Sequence, residues 1–230
     1  MTLSLEGVRL PRASFVLELD VTLDAHVTAI FGPSGAGKTS LLEAVAGLRR
    51  PESGRILLSG RVLDDAAAGI RVPPRRRAVG YVTQDDSLFP HLSVARNLRY
   101  GAARGLGSTA APREELVIEV LALAPLLERR PGTISGGERR RTALGRALLS
   151  APEILLLDEP LSGLDQPLKE RVLDHLLKVK AAFPVSILYV THEPSEVAAI
   201  ADEVVILESG RVVSRGAPGE VLAAGAAVLS

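Results

Sequence analysis

Apolar and polar residues alternate over Leu3 to Val8, an apolar-rich run follows from Phe15 to Leu23, and Pro11 lies between them. This pattern predicts two short strands leading into a third, Val27 to Phe31. Beyond a glycine-rich stretch, Leu41, Val45 and Leu48 fall at i, i+4 and i+7, with Leu42 and Ala46 beside them. That spacing predicts a helix with a broad buried face, weakened by Gly47 and stopped by Pro51. Gly54 to Leu63 reads as strand, Ser59-Gly60 turn, strand; Ser209-Gly210-Arg211-Val212 repeats the same turn chemistry without marking a duplication. Pro73 to Arg77 reads as a solvated basic loop before a strand, Ala78 to Gln84.

From Leu88 to Leu149 the pattern turns to helix and loop. A Gly/Ala/Ser/Pro-rich stretch covers Gly101 to Pro112, an apolar helical period runs through Leu116, Val120, Leu123 and Leu127, and a helix opened by Ser135 presents Ala143, Leu144, Ala147 and Leu148. Ile154 to Leu157 is apolar without alternation, as expected of a strand buried on both faces of a parallel sheet. A helix (Leu168 to Ala182), a strand (Ser186 to Val190), a helix (Pro194 to Ala201), two strands (Glu203 to Leu207, Arg211 to Ser214) and a short terminal helix follow. The expectation is one α/β domain over residues 1–230: a mostly parallel core sheet, an N-terminal antiparallel β lobe and a helical lobe near residues 88–150.

The chemistry starts at Gly32-Pro33-Ser34-Gly35-Ala36-Gly37-Lys38-Thr39, between the strand at Val27 and the helix beginning near Ser40. Strand, glycine-rich loop and helix in that order fit a phosphate-binding P-loop. Its glycines let successive NH groups turn inward around phosphate oxygens. Lys38 can place a charge on the outer phosphates, Thr39 can offer a hydroxyl to Mg²⁺, and the helix N-terminus adds its positive dipole end.

Two adjacent carboxylates, Asp158 and Glu159, end the apolar run at Ile154, a place where burial makes them costly without a cation or a proton-transfer task. Asp158 can hold Mg²⁺, and Glu159 can accept a proton from an attacking water. Gln84 and His192 also stand at strand ends, where ligands gather in open α/β sheets. His26, His91 and His175 lack that context. Ser135-Gly136-Gly137-Glu138 supports two readings: a capping box with loop glycines, or a second anion site at a helix N-terminus.

Composition narrows the field. With 27 basic and 27 acidic residues among 230, nothing argues for nucleic acid as the main partner, and 3 % aromatic residues leave few groups to stack on bases. The absence of cysteine excludes a disulfide framework and thiolate chemistry. No signal-like or membrane-length apolar stretch is present, so the expectation is a soluble chain that reaches a membrane only through a partner.

Taken in order, these motifs resemble the nucleotide-binding subunit of ABC transporters along nearly the whole chain. Gly32 to Thr39 is similar to Walker A, Gln84 to the Q-loop, and Ile134 to Glu138 to the family signature, usually Leu-Ser-Gly-Gly-Gln. Ile154 to Glu159 resembles Walker B with its following glutamate, Ser162-Gly163-Leu164-Asp165 the D-loop, and His192 the switch histidine. The resemblance implies an ABC-type P-loop ATPase in which two copies pack head to tail around two ATP molecules. Gly32 to Ser40 would bind ATP; Ser135, Gly136, Gly137, Glu138 and Asp165 would meet the partner copy's ATP. Glu159 would act as general base with Gln84 and His192 at the reacting phosphate, and Thr39, Gln84 and Asp158 would hold Mg²⁺.

Within the family, residues 60–65, 79–84, 88–91 and 97–101 look most like the ATPase of molybdate/tungstate importers, as does Glu138 in place of Gln. The resemblance then implies a separate membrane permease and a place on the cytoplasmic face of the inner membrane. Importers of sulfate, phosphate or iron and soluble ABC ATPases are the alternatives. The stretch from Thr39 to Ser135 carries none of the heptads or cysteines of the soluble kind. Two features depart from the pattern: the chain ends before the C-terminal oxyanion-binding domain typical of that group, and the expected adenine-stacking aromatic is not evident, leaving Phe15 or Arg9.

Overall fold

A computed structural model describes residues 1–12, 15–102 and 112–225. The Gly101 to Pro112 stretch therefore lies mostly outside the described residues. The chain forms two compact units, residues 1–77 with 186–230, and residues 78–185.

The first unit begins with β1 (Leu3–Pro11), β2 (Val16–Leu23) and β3 (Val27–Phe31), then α1 (Lys38–Ala46), β4 (Ser53–Leu58), β5 (Arg61–Asp65) and β6 (Ile70–Arg71). The second holds β7 (Val79–Val82), α2 (Val94–Ala102), α3 (Glu114–Val120), α4 (Gly136–Leu149), β8 (Ile154–Asp158) and α5 (Gln166–Ala182). The first resumes with β9 (Ser186–Thr191), α6 (Pro194–Ile200), β10 (Glu203–Glu208), β11 (Arg211–Gly216) and α7 (Pro218–Gly225).

Strands of the first unit lie in the order β6-β5-β4-β1-β2-β11-β10-β3-β9. β1, β2, β4, β5 and β6 pair antiparallel, whereas β10, β3 and β9 are parallel. The change follows connection length: two-residue turns return β4 into β5 and β10 into β11, but a parallel neighbour needs a crossover. Ser59 and Gly60, like Ser209 and Gly210, all have positive φ, the geometry of type I′ hairpin turns. In the second unit, β7 and β8 pair parallel, Val79 with Ile154 through Val82 with Leu157. β3, β8 and β9 are buried at every residue.

Three expectations change. α1 ends at Ala46 because Gly47 itself turns left-handed (φ 80) and donates its NH to Ala44 O; Leu48 lies beyond the helix and is 59 % exposed. The apolar period of residues 116–127 is broken: α3 ends at Val120, Ala122 is left-handed, and the buried residues are Val117, Leu121, Leu123 and Leu126. The turn at Ala122 resets the phase, so one helical period does not pick out the buried set.

Arg77 is the third. It is not solvated but completely buried, its Nη2 donating to Asp64 Oδ2 at 2.9 Å. Its other nitrogens donate to Val72 O, Ala44 O and Val45 O, covering the last carbonyls of α1. Burial pushes the guanidinium below its ordinary value while Asp64 opposes the shift. Arg75 and Arg76 are exposed as expected.

Candidate functional site

In the first unit, the phosphate loop leaves the buried end of β3 and enters α1. A Cβ on Gly32 would stand 2.1 Å from Leu207 O, so only glycine fits where the loop passes β10. Ala36 O accepts from Gly210 N at 3.1 Å, which ties the loop to the β10–β11 turn. Pro33, Ser34, Gly35 and Thr39 are exposed, whereas Ala36, Gly37, Lys38 and Ser40 are buried. Lys38 Nζ donates to Gly32 O at 2.7 Å and Pro33 O at 2.9 Å, holding its charge inside the loop. Gly37, the N-cap of α1, supplies no side-chain cap, and the first turn carries no acid. Helix dipole, lysine and open loop together make an anion cradle.

β9 brings His192 beside this loop. Phe31 pairs with Thr191, so the residues that follow each strand, Gly32 and His192, leave the sheet side by side. A network unforeseen in the sequence holds that strand end: buried Glu196 Oε2 accepts from Tyr189 Oη at 2.8 Å and Thr191 Oγ1 at 2.7 Å, and Thr191 Oγ1 accepts from Glu193 N. No local spacing announces it, because the register of β9 against α6 decides which hydroxyls face the carboxylate. Phe15 lies against the loop, its ring atoms within 3.6 Å of where a Cβ on Gly37 would stand. Arg9 instead forms an ion pair with Glu18.

The second unit carries the acidic strand end. Asp158, 6 % exposed, accepts from Tyr81 Oη at 3.1 Å across the β7–β8 pair. Glu159 takes a left-handed backbone (φ 46), a region usually left to glycine, strain of the sort stored at reactive positions. That turn continues with Ser162 N donating to Glu159 O. Gln84, exposed in the turn after β7, donates from Nε2 to Ser162 Oγ at 3.4 Å, so parallel pairing sets Gln84 close to the loop that follows Asp158 and Glu159.

Ser135 and Glu138 form both halves of the capping box at α4: Ser135 N donates to Glu138 Oε2 at 2.7 Å, and Glu138 N to Ser135 Oγ at 3.3 Å. The backbone hydrogen bond from Ser135 holds the Glu138 carboxyl below its ordinary value. Leu164 and Leu168 pack near Gly136 and Gly137. Asp165 caps α5 by accepting from Leu168 N at 2.9 Å. Ser135, Gly137 and Glu138 also border a cavity of about 160 Å³ with Arg141, Arg171 and His175. His175 itself sits 2.9 Å from Val120 O, and burial lowers its pKa, as suits a structural histidine.

In the first unit Thr39 offers an exposed hydroxyl, and in the second Asp158 offers a buried carboxylate; no group of three or more His, Cys, Asp or Glu fit to cage a metal occurs among the described residues. Magnesium is commonly held by one or two carboxylates together with phosphate oxygens and water.

Among known proteins, the chain is 47 % identical over 94 % of its length to Molybdenum import ATP-binding protein ModC 1 of Azotobacter vinelandii. It is 50 % identical over 89 % of its length to Molybdenum import ATP-binding protein ModC of Escherichia coli strain K12. It spans 60 % and 57 % of those two relatives' lengths. The solved structure of cbiO1 from Clostridium perfringens, described as part of the ABC transporter complex cbiONQ, superposes with a TM-score of 0.80 at 27 % identity, covering 96 % of this chain and 90 % of that one. An ATP-binding cassette of an ABC transporter, 22 % identical, shares the fold at the same TM-score, over 96 % of this chain and 93 % of the other. Residues 17–162, more than half of the chain, match the ABC transporter family, and the chain belongs to that family.

Proposed function

We propose that the chain is the ATP-hydrolysing subunit of an importer whose cargo is molybdate or tungstate and whose membrane-crossing path is a separate permease. The observation that carries this reading is the identity of 47 % to 50 % with molybdenum import ATP-binding proteins, extending over nearly all of a chain with an ABC phosphate loop. No helix among the described residues is long and apolar enough to cross a membrane. The permease would bring the chain to the cytoplasmic face of the membrane.

In this reading the loop NH groups and Lys38 bind the ATP phosphates, and Phe15 offers a ring to adenine. Mg²⁺, when bound, neutralises charge on the phosphoryl oxygens, and Thr39, Asp158 and Gln84 are the residues that would hold it. Tyr81 orients the Asp158 carboxylate by donating to Oδ2. Glu159 accepts the proton of the attacking water as that water's oxygen bonds to the γ-phosphorus and the bond to ADP breaks. His192, on a strand end fixed by Glu196, contacts the γ-phosphate. Ser135, Gly136, Gly137, Glu138 and Asp165 meet the ATP bound to a second copy packed head to tail, which makes hydrolysis depend on dimer closure.

The test is ATPase activity of the complex copurified with its permease, assayed with the binding protein and molybdate, tungstate, sulfate or phosphate. Stimulation by molybdate or tungstate alone is the expected result. Stimulation by another solute replaces the cargo and keeps the ATPase; absence of any membrane partner moves the reading to a soluble ABC ATPase.

A further inference from the structure

The turn after β7 is strained and is gripped from one side. Asp86 (φ 59) and Ser87 (φ 45) both adopt left-handed backbone without being glycine. Two arginines of α4 reach this turn. Arg140 Nε lies 2.7 Å from Asp86 Oδ1, with both side chains at least nine-tenths buried. One turn and a half further along the helix, Arg146 donates to Ser87 O at 2.9 Å and Asp86 O at 3.4 Å, its guanidinium stacked 5.3 Å from the Phe89 ring. Thr83 Oγ1 and Ser87 Oγ, 2.8 Å apart, close the turn. Gln84 sits in its middle, and the same α4 begins at the Ser135 cap.

A buried ion pair is a poor stabilising device, because desolvating two charges offsets most of their attraction. Arg140 Nε and Nη1 and Asp86 Oδ1 are all buried without a hydrogen-bond partner, so the two charges meet as an ion pair and not as an aligned hydrogen bond. What such a pair supplies is a fixed geometry. A short, rigid helix carrying both the Ser135 cap and the two grips cannot shift at one end without pulling on the other.

We propose that Asp86 and Arg140 are positioning residues whose buried pair holds the Gln84 turn in its strained shape against α4, so that movement at the Ser135 end is transmitted to Gln84. The kinetic consequence rests on the ATPase reading above; the mechanical one does not.

The experiment compares the full chain with D86N, R140Q and D86N/R140Q by amide hydrogen exchange and, with its permease, by steady-state ATP hydrolysis. Each single variant is expected to speed exchange of residues 84–87 by about tenfold while β8 and the rest of α4 keep their protection. kcat is expected to fall about tenfold with KM for ATP within about twofold, and the double variant to be no worse than either single. Unchanged exchange at 84–87, a uniform loss of protection across the chain, or additive losses in the double variant would overturn the proposal. If R140Q does not fold, R140K, which keeps the charge without the planar fork, carries the same comparison. A wild-type chain that hydrolyses no ATP refutes the ATPase reading, and the exchange result still decides this one.

Discussion

Arg77 donates to Asp64 Oδ2 at 2.9 Å with both side chains sealed from solvent, and the same guanidinium covers the last carbonyls of α1, the helix that opens at Lys38. Removing either partner leaves an uncompensated buried charge. R77A and D64A are each expected to lower stability by about 3–5 kcal/mol, and the double variant by less than the sum of the two. Denaturant titration of the four proteins measures the coupling; additive losses would show that the pair does not act as a unit.

Gly32 and Gly35 differ in what a methyl group would meet. At Gly32 the new Cβ falls 2.1 Å from Leu207 O, whereas nothing lies within 4 Å at Gly35, whose φ of 84 carries only conformational strain. G35A should cost about 1–2 kcal/mol. G32A should cost more and displace β10 from the loop. Thermal melts with and without ATP separate the two, since G35A keeps the path of the loop.

Glu159→Gln keeps the size of the side chain and removes the proposed general base. Hydrolysis is expected to slow by roughly 10²- to 10⁴-fold while ATP still drives association of two copies. Single-turnover hydrolysis and sedimentation with ATP check both halves. Wild-type turnover in the variant would remove Glu159 from its role.

The Glu138 carboxyl is held below its ordinary value by the Ser135 NH, so its charged form favours the folded state. The contribution is complete above the unfolded value near 4.5 and is lost as pH falls through the lower folded value. E138A should therefore melt below the wild type at neutral pH, and the gap should close on acidification. The residue is partly exposed to solvent, which keeps the effect small. A gap that stays constant with pH would mean that the charge is not what the cap uses.

Signals confined to a few residues were legible in the sequence. Apolar-rich runs mark β3, β8 and β9 because a strand covered on both faces leaves little room for polar side chains. The phosphate loop follows from glycine backbone freedom, and the Ser135–Glu138 box from partners three residues apart. Placing Gln84, Asp158, Glu159 and His192 at strand ends needed only the lengths of those runs.

The tertiary structure decided everything whose partner lies far along the chain. Arg77 looked solvated because its acceptors, Asp64 and the end of α1, come from other elements, and a basic loop has the same composition whether it faces water or a carboxylate. Tyr81 meets Asp158 only once strand register is set, and even Glu196, close in sequence to Tyr189 and Thr191, meets them only once α6 docks on β9. The apolar period of residues 116–127 did not form one helix because α3 ends at Val120 and the left-handed Ala122 breaks the phase after it. The chain's sequence by itself determined which local backbone shapes are allowed and which segments must be dry; packing decided which buried charges find each other, because a charge under the surface is stable only where distant residues supply its partner.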